Sequence, residues 1–346
     1  MSAAEAAVRR WPDRPGAASQ VWRRLRGQHL AMICGAFIVA VALACFVGEP
    51  IAERLLGHGP NDIFPHAVGD NLKPVGPWTR VPTSEVSGPV GSDAPRTLLI
   101  LGAADPLGRD QFLRLLAGGR TSLEIALGAT ALAMVIAAFF GALTAFYGGV
   151  VDSTFSRLTE FVMGFPILFL VVALGLTVAN RLNAVTLGGA FAPGVLSLIA
   201  VIGLFNWFYL ARVLRAQVLS LREQEFVEAA RMIGAGNFYI VRKHLLPHLT
   251  STLIVYGSLI VAATMILEAG LSLLNLGIEV PYASWGNMLS TNWGTLLVPT
   301  GAPSFTQTAS LTTAAPAAAI FTTVLAFALF GEGLRRALDP HAEVRV

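Results

Sequence analysis

Few side chains in this sequence could do chemistry. The histidines are His29, His58, His66, His244, His248 and His341, the cysteines Cys34 and Cys45, and the lysines Lys73 and Lys243. Only His244 and His248 stand one helical turn apart, the spacing of two metal ligands on one helix, and no third ligand lies near them in sequence. A capping or surface role fits that pair better. Cys34 and Cys45 share one apolar run, and on a helix their separation is about 16 Å along the axis, too far for a disulfide. Neither lysine follows glycines in the pattern of a phosphate cradle, and no nucleophile, base and orienting acid recur together. No catalytic residue, cofactor site or metal site is expected in this chain.

The one polar stretch with a pattern of its own is Leu221 to Pro247, LREQEFVEAARMIGAGNFYIVRKHLLP. Phe226, Ala230 and Ile233 fall at i, i+4, i+7 and so share a face of a short amphipathic helix. Arg222, Glu223, Glu225, Glu228 and Arg231 occupy the other faces. Gly234 and Gly236 free the backbone to turn, and the apolar segment Phe238 to Leu246 leads to Pro247, a residue suited to the first turn of another helix. An interfacial helix resting on anionic lipid would carry mostly Lys and Arg on its polar face; here three glutamates stand against two arginines. The pattern therefore reads as a helix, a sharp bend and a second helix, exposed between two membrane spans, with a polar face that does not suit anionic headgroups.

What holds that stretch is set by composition. Charged residues are 13% of the chain, apolar residues 54%, and the mean hydropathy is +0.64. A soluble chain carries about 25% charged residues, so much of this one needs lipid as its solvent. The net charge of +3 does not argue for nucleic acid, because the basic residues flank apolar runs instead of gathering into a stripe.

Six spans are expected in an all-α polytopic membrane protein. A polar tail, 1–29, precedes the first span, 30–47, followed by a Pro- and Gly-rich loop, 48–119, in which Thr97 to Leu101 could form a strand and Gln111 to Leu116 an interfacial helix. A core of five further spans, 120–335, then contains the polar loop 215–247, and a tail, 336–346, closes the chain. Within the core the spans read as Leu123–Phe146, Phe161–Ala179, Val195–Leu210, His248–Leu274 and Ala314–Gly331. Ala137, Gly141 and Ala145 permit close helix approach, and Pro166 should bend the third span. Trp285 and Trp293 in the last loop are expected at the interfacial layer, and Glu160 and Glu268 near span ends, where a carboxylate reaches water. Sixteen of the twenty-four Lys and Arg residues fall on the side that holds both termini and the polar stretch, which marks that side as cytoplasmic.

Glu228, Ala229 and Ala230, then Gly234, then Leu246 and Pro247 resemble the EAA loop of the inner-membrane permease subunits of ABC importers. His244, where that family usually has isoleucine, is similar to the dipeptide and oligopeptide branch. Further motifs agree in order: Asp105 to Asp110 (DPLGRD), Gly148, Gly149 and Asp152 before Pro166, Ser284 to Met288 (SWGNM) and Gly331 to Pro340 (GEGLRRALDP). The resemblance spans about Asp105 to Pro340; the first hundred residues match in layout only.

That resemblance implies a MetI-like type I importer permease in the bacterial inner membrane, both termini cytoplasmic. It further implies a second homologous permease, two ATPase subunits or domains that bind ATP and Mg, and an extracytoplasmic binding protein that delivers peptides. Phe226, Glu228, Ala229, Ala230, Ile233, Gly234 and Pro247 would then form the ATPase-docking site, with Phe226, Ala230 and Ile233 inserted. The same machinery could carry nickel or glutathione. An ion-driven secondary transporter would call for paired broken helices at the midplane or charges deep in the spans, and a membrane-embedded enzyme for a convergent catalytic set. Neither pattern is evident in the sequence.

Overall fold

A backbone in lipid has no water to bond to, so apolar runs that cross it close their hydrogen bonds as helices. The computed structural model describes residues 17–69, 74–82, 96–173, 191–297 and 307–338. The tail before residue 17, the end of the expected third span at 174–179, the side chain of Trp293 and the last residues of the GEGLRRALDP motif lie outside them.

The chain opens with α1 (Ala17–Arg26) and α2 (His29–Leu43), which passes through a π-helical turn (Ala44–Gly48) into α3 (Glu49–Leu56). A short antiparallel pair, β1 (Thr79–Pro82) and β2 (Arg96–Leu99), follows, with Val81 opposite Thr97. Then come α4 (Gln111–Tyr147), α5 (Gly149–Met163), α6 (Ile167–Ala173) and α7 (Val195–Leu221). The polar stretch holds α8 (Glu225–Met232) and α9 (Asn237–Ile240), which runs through a second π-helical turn (Val241–Leu245) into α10 (Leu246–Leu273); α11 (Trp285–Leu297) and α12 (Gln307–Leu338) complete the fold.

Among the described residues five helical segments are long and apolar enough to cross a membrane: His29–Leu56, Gln111–Tyr147, Val195–Leu221, Asn237–Leu273 and Leu311–Leu338. A sixth crossing is present if α5 and α6, bent by 88°, count as one. The bend falls where Pro166 withdraws a backbone donor.

Several helix ends differ from the hydropathy reading. The first helix does not stop at Val47 but continues to Leu56, because Glu49 is turned inward to Arg120 (3.3 Å) instead of ending the span. Gln111 to Leu116 is no separate interfacial helix; it is the first part of α4, started by Asp110, whose carboxylate accepts from the amides of Phe112 (2.7 Å) and Leu113 (3.1 Å). Pro247 stands two residues past the last residue of the second π-turn, in the first turn of α10. The wider turn shifts the hydrogen-bond register where proline can neither donate nor fit, so helix and span stay continuous.

The bundle is built on the α4–α7 pair. Ala137, Gly141 and Ala145 face α7, and a Cβ on Gly141 would stand 2.7 Å from the Ala211 carbonyl oxygen. Close backbone approach is the association mode that lipid leaves available, since burial of apolar surface gains little there. Around one end of this pair Phe146, Phe155, Trp207, Leu214 and Val218 gather with Val227 and Ala230 of α8. Large apolar side chains elsewhere on the spans, such as Ile33, Val135, Phe139 and Ile266, are exposed.

Candidate functional site

At the end of the bundle where α4 stops, the polar stretch is clamped to its neighbours. Asp152 of α5 takes both Nε and an Nη nitrogen of Arg215 (2.5 and 2.8 Å). One residue past α7, Arg222 donates to the Ala145 carbonyl (2.8 Å). α8 then carries Glu225 and Glu228 in its first turn and Arg231 in its last, each sign complementing the helix dipole.

The helix ends in a Schellman motif: the amide of Gly234 bonds to Arg231 O (3.0 Å) and that of Ala235 to Ala230 O (3.0 Å). Gly234 is left-handed, with φ +84°. A β-carbon there would meet no neighbour but would strain the backbone.

Val227 and Ala230 point into the chain's own core, and half-buried Phe226 packs on it. The Phe226 ring stacks on His248 at 5.5 Å and 10°, with His244 at 6.1 Å, and the Arg231 guanidinium lies 5.3 Å over Phe146. So the inserted face inferred from Phe226, Ala230 and Ile233 is not a single outward face. The helix is eight residues long and Ile233 is already its C-cap, so the helical period cannot be extended to it. What the stretch presents outward is Glu228, Ala229, Met232 (82% exposed) and Ile233 (86%), with Phe238 and Tyr239 beyond the turn. Met232, Phe238 and Tyr239 were not singled out from sequence. The signal available was their size in a polar stretch, without a period to assign them a face.

At the opposite end the DPLGRD residues form a knot. Asp105 accepts from Leu107 N (3.0 Å) and from Arg109 Nε (2.7 Å), in an ion pair with both side chains about 4% exposed. Arg109 and Arg114 donate to the same carbonyl, Pro281 O, at 3.3 and 3.0 Å, which ties the segment between α10 and α11 to the start of α4. Ser284 and Asn287 cap α11 reciprocally: each amide donates to the other's side-chain oxygen, at 3.0 and 3.1 Å.

Two expectations change here. Trp285 is not an interfacial anchor but is 3% exposed, donating through Nε1 to Leu115 O (2.8 Å). Glu268 does not reach water: it is 1% exposed and accepts from the hydroxyls of Ser122 (3.4 Å), Ser272 (3.0 Å) and Ser284 (2.8 Å). Both are covered because α11 folds back against α4 and α10.

His58 joins this end too. Its Nε2 lies 3.0 Å from Asp110 and its Nδ1 3.0 Å from the Thr97 hydroxyl, linking the end of the first helix, β2 and the start of α4. Burial by itself lowers the imidazole pKa, but the hydrogen bond to Asp110, with the Leu56 carbonyl and the charges of Asp110 and Asp62, outweighs it and raises the pKa above its ordinary value. A histidine raised on folding adds stability that is full below its unfolded value of about 6.5 and is lost as pH climbs through the folded one. Thermal stability of the purified protein should therefore fall as pH rises from about 6 through that range. His58→Gln should flatten the fall; an unchanged slope would assign it to another group.

Among the described residues no three His, Cys, Asp or Glu side chains are placed to hold a metal.

Residues 133–344 match the family described as binding-protein-dependent transport system inner membrane component. The chain belongs to that family. Residues 17–74 also match the N-terminal TM domain of oligopeptide transport permease C. The permease is 37% identical over 242 residues to a chain of Brucella ovis described as a peptide permease, covering 70% of this chain and 73% of the relative. It is 32% identical over 319 residues to the dipeptide transport system permease protein DppC of Bacillus subtilis (92% and 84%). It is 29% identical over 321 residues to the glutathione transport system permease protein GsiD of Pectobacterium atrosepticum (93% and 90%). It is thus a non-catalytic, multi-pass inner membrane subunit of an ABC importer, with ATP hydrolysis residing in other subunits.

Proposed function

We propose that this permease pairs with a second, homologous permease to form the route by which peptides enter the cell, driven by two ATPase subunits or domains that bind ATP and Mg. The polar stretch faces the cytoplasm, as the Lys and Arg distribution favours. There Met232, Ile233, Phe238 and Tyr239 insert into the ATPases, Glu228 and Ala229 lie along the contact, and Gly234 sets the turn between the two halves. The DPLGRD end faces an extracytoplasmic binding protein that delivers the substrate.

One observation carries this reading. Four large apolar side chains stand exposed on a loop whose own helix already spends its other face on the bundle, and glutamates beside them disfavour anionic lipid as the cover. The similarity to dipeptide and glutathione permeases supports short peptides, glutathione being one of them, as cargo.

The test is purification of the tagged chain with its candidate partners, followed by reconstitution into vesicles with a binding protein and a labelled dipeptide. The expected result is ATPase retained on the permease and uptake that requires ATP. Uptake that follows an imposed ion gradient without ATP would overturn the proposal.

A further inference from the structure

A polar side chain on a membrane span is costly unless it faces protein or water. α7 and α10 carry a row of them. Asn206 Nδ2 donates to the Thr264 hydroxyl (3.2 Å), the Tyr209 and Tyr256 rings lie 6.0 Å apart, and Gln217 Nε2 donates to the Thr252 hydroxyl (2.7 Å). The two helices are antiparallel, so these pairs are successive rungs of one ladder. From Asn206 to Gln217 it descends about 16 Å, ending near the polar stretch.

The ladder floors a groove of about 770 Å³ between α7 and α10, with Arg335 and Leu338 of α12 at its lower mouth. A second cavity of about 310 Å³ meets it at Asn206 and Tyr209; its far wall is the break between α5 and α6, at Phe165 and Ile167. Non-helical backbone at membrane depth is tolerated where protein or a water-filled space satisfies it. A bent helix and a polar row on a neighbouring span thus converge on one space.

The chemistry of that space is specific. Among the described residues its polar groups are amide, phenol and hydroxyl, with one charge, Arg335, at the mouth. Among the described residues Gln217 Oε1 is buried with no hydrogen-bond partner, an acceptor that this chain's own packing leaves unsatisfied. Tyr209 is 58% exposed. A helix-packing seam would present small residues for close approach, as α4 does to α7; this face presents bulky hydrogen-bonding groups instead.

We infer that this groove is the permease's wall of the transport route. Asn206, Tyr209, Gln217, Thr252 and Tyr256 exchange hydrogen bonds with the main-chain amides of a short peptide, without reading the charge of its side chains. The second permease closes over the groove from the other side. The inference rests on the importer reading above, and the experiment separates the two.

Wild-type transporter and single-cysteine variants Asn206→Cys, Gln217→Cys and Thr252→Cys are placed in vesicles with all partners, beside Leu204→Cys and Ile254→Cys, exposed apolar positions on the same two helices. The native Cys34 and Cys45 are buried, which keeps the background low. A charged, membrane-impermeant methanethiosulfonate should label the ladder positions about tenfold or more faster than the two controls, since it enters water but not lipid. In the same vesicles Gln217→Leu should lower uptake of neutral, acidic and basic dipeptides by a similar factor, about tenfold, through loss of the amide contact. Ladder cysteines as unreactive as the controls, or a loss confined to one charge class, would overturn the inference while wild-type uptake leaves the importer reading standing. Absence of ATP-dependent uptake in the wild type would instead overturn the importer reading, and this inference with it.

Discussion

Met232→Asp combined with Ile233→Asp should detach the ATPases and lower ATP-driven uptake by about two orders of magnitude, the loss expected when two anchoring side chains leave an interface. Their exposures of 82% and 86% mean that the chain alone buries neither, so the folded permease should keep its stability to within about 0.5 kcal/mol. Ala230→Asp is the contrast. Ala230 is 6% exposed in the chain's own core, so a carboxylate there should destabilise the permease itself. Affinity purification, with ATPase retention and melting temperature read from the same sample, distinguishes these outcomes. Normal retention in the double variant would move the docking surface elsewhere.

The second large effect is expected at the opposite end. Arg109→Met leaves the Asp105 carboxylate buried without its cation, at a cost of about 3–5 kcal/mol. Pro281 O keeps its bond from Arg114, so the tie to the α10–α11 segment is weakened but not severed. Asp105→Leu with Arg109→Met should recover most of the stability, because an apolar pair of similar volume avoids the desolvation that a lone charge suffers. Thermal unfolding in detergent measures all three chains. Equal losses in the single and double variants would show that the pair matters for something other than its charge.

These expectations differ in how far they could have been made without coordinates. Hydropathy located five of the helical spans, because an apolar run of sufficient length has few other stable forms in lipid; the third, read as Phe161–Ala179, is instead a bent pair of helices that begins at Gly149. Hydropathy misplaced span ends as well. Glu49 reads as the end of a span, and only the position of Arg120, far along the chain, turns it inward. Asp110 falls in the loop 48–119 by composition, yet two backbone amides and His58 make it the start of a 37-residue helix.

The docking stretch shows the same division. Glycine at 234 forecast the turn, since a left-handed residue after a short helix is a local requirement. Which side of the helix faces outward was not local. It depended on where α8 stops and on which apolar side chains the bundle claims first, and it claimed Val227 and Ala230, leaving Met232 and Ile233.

Sequence by itself determined the class of the molecule: a polytopic helical permease with one patterned polar loop between spans. Composition, spacing and turn chemistry act within a few residues of one another, so they can be read along the chain. Tertiary structure alone decided that Glu268 and Trp285 are enclosed, that Asp105, Arg109 and Pro281 form one knot, and that Asn206, Gln217, Thr252 and Thr264 line up across two helices. Each of those depends on residues brought together from distant parts of the chain, and polar partners at that range leave no period in the sequence.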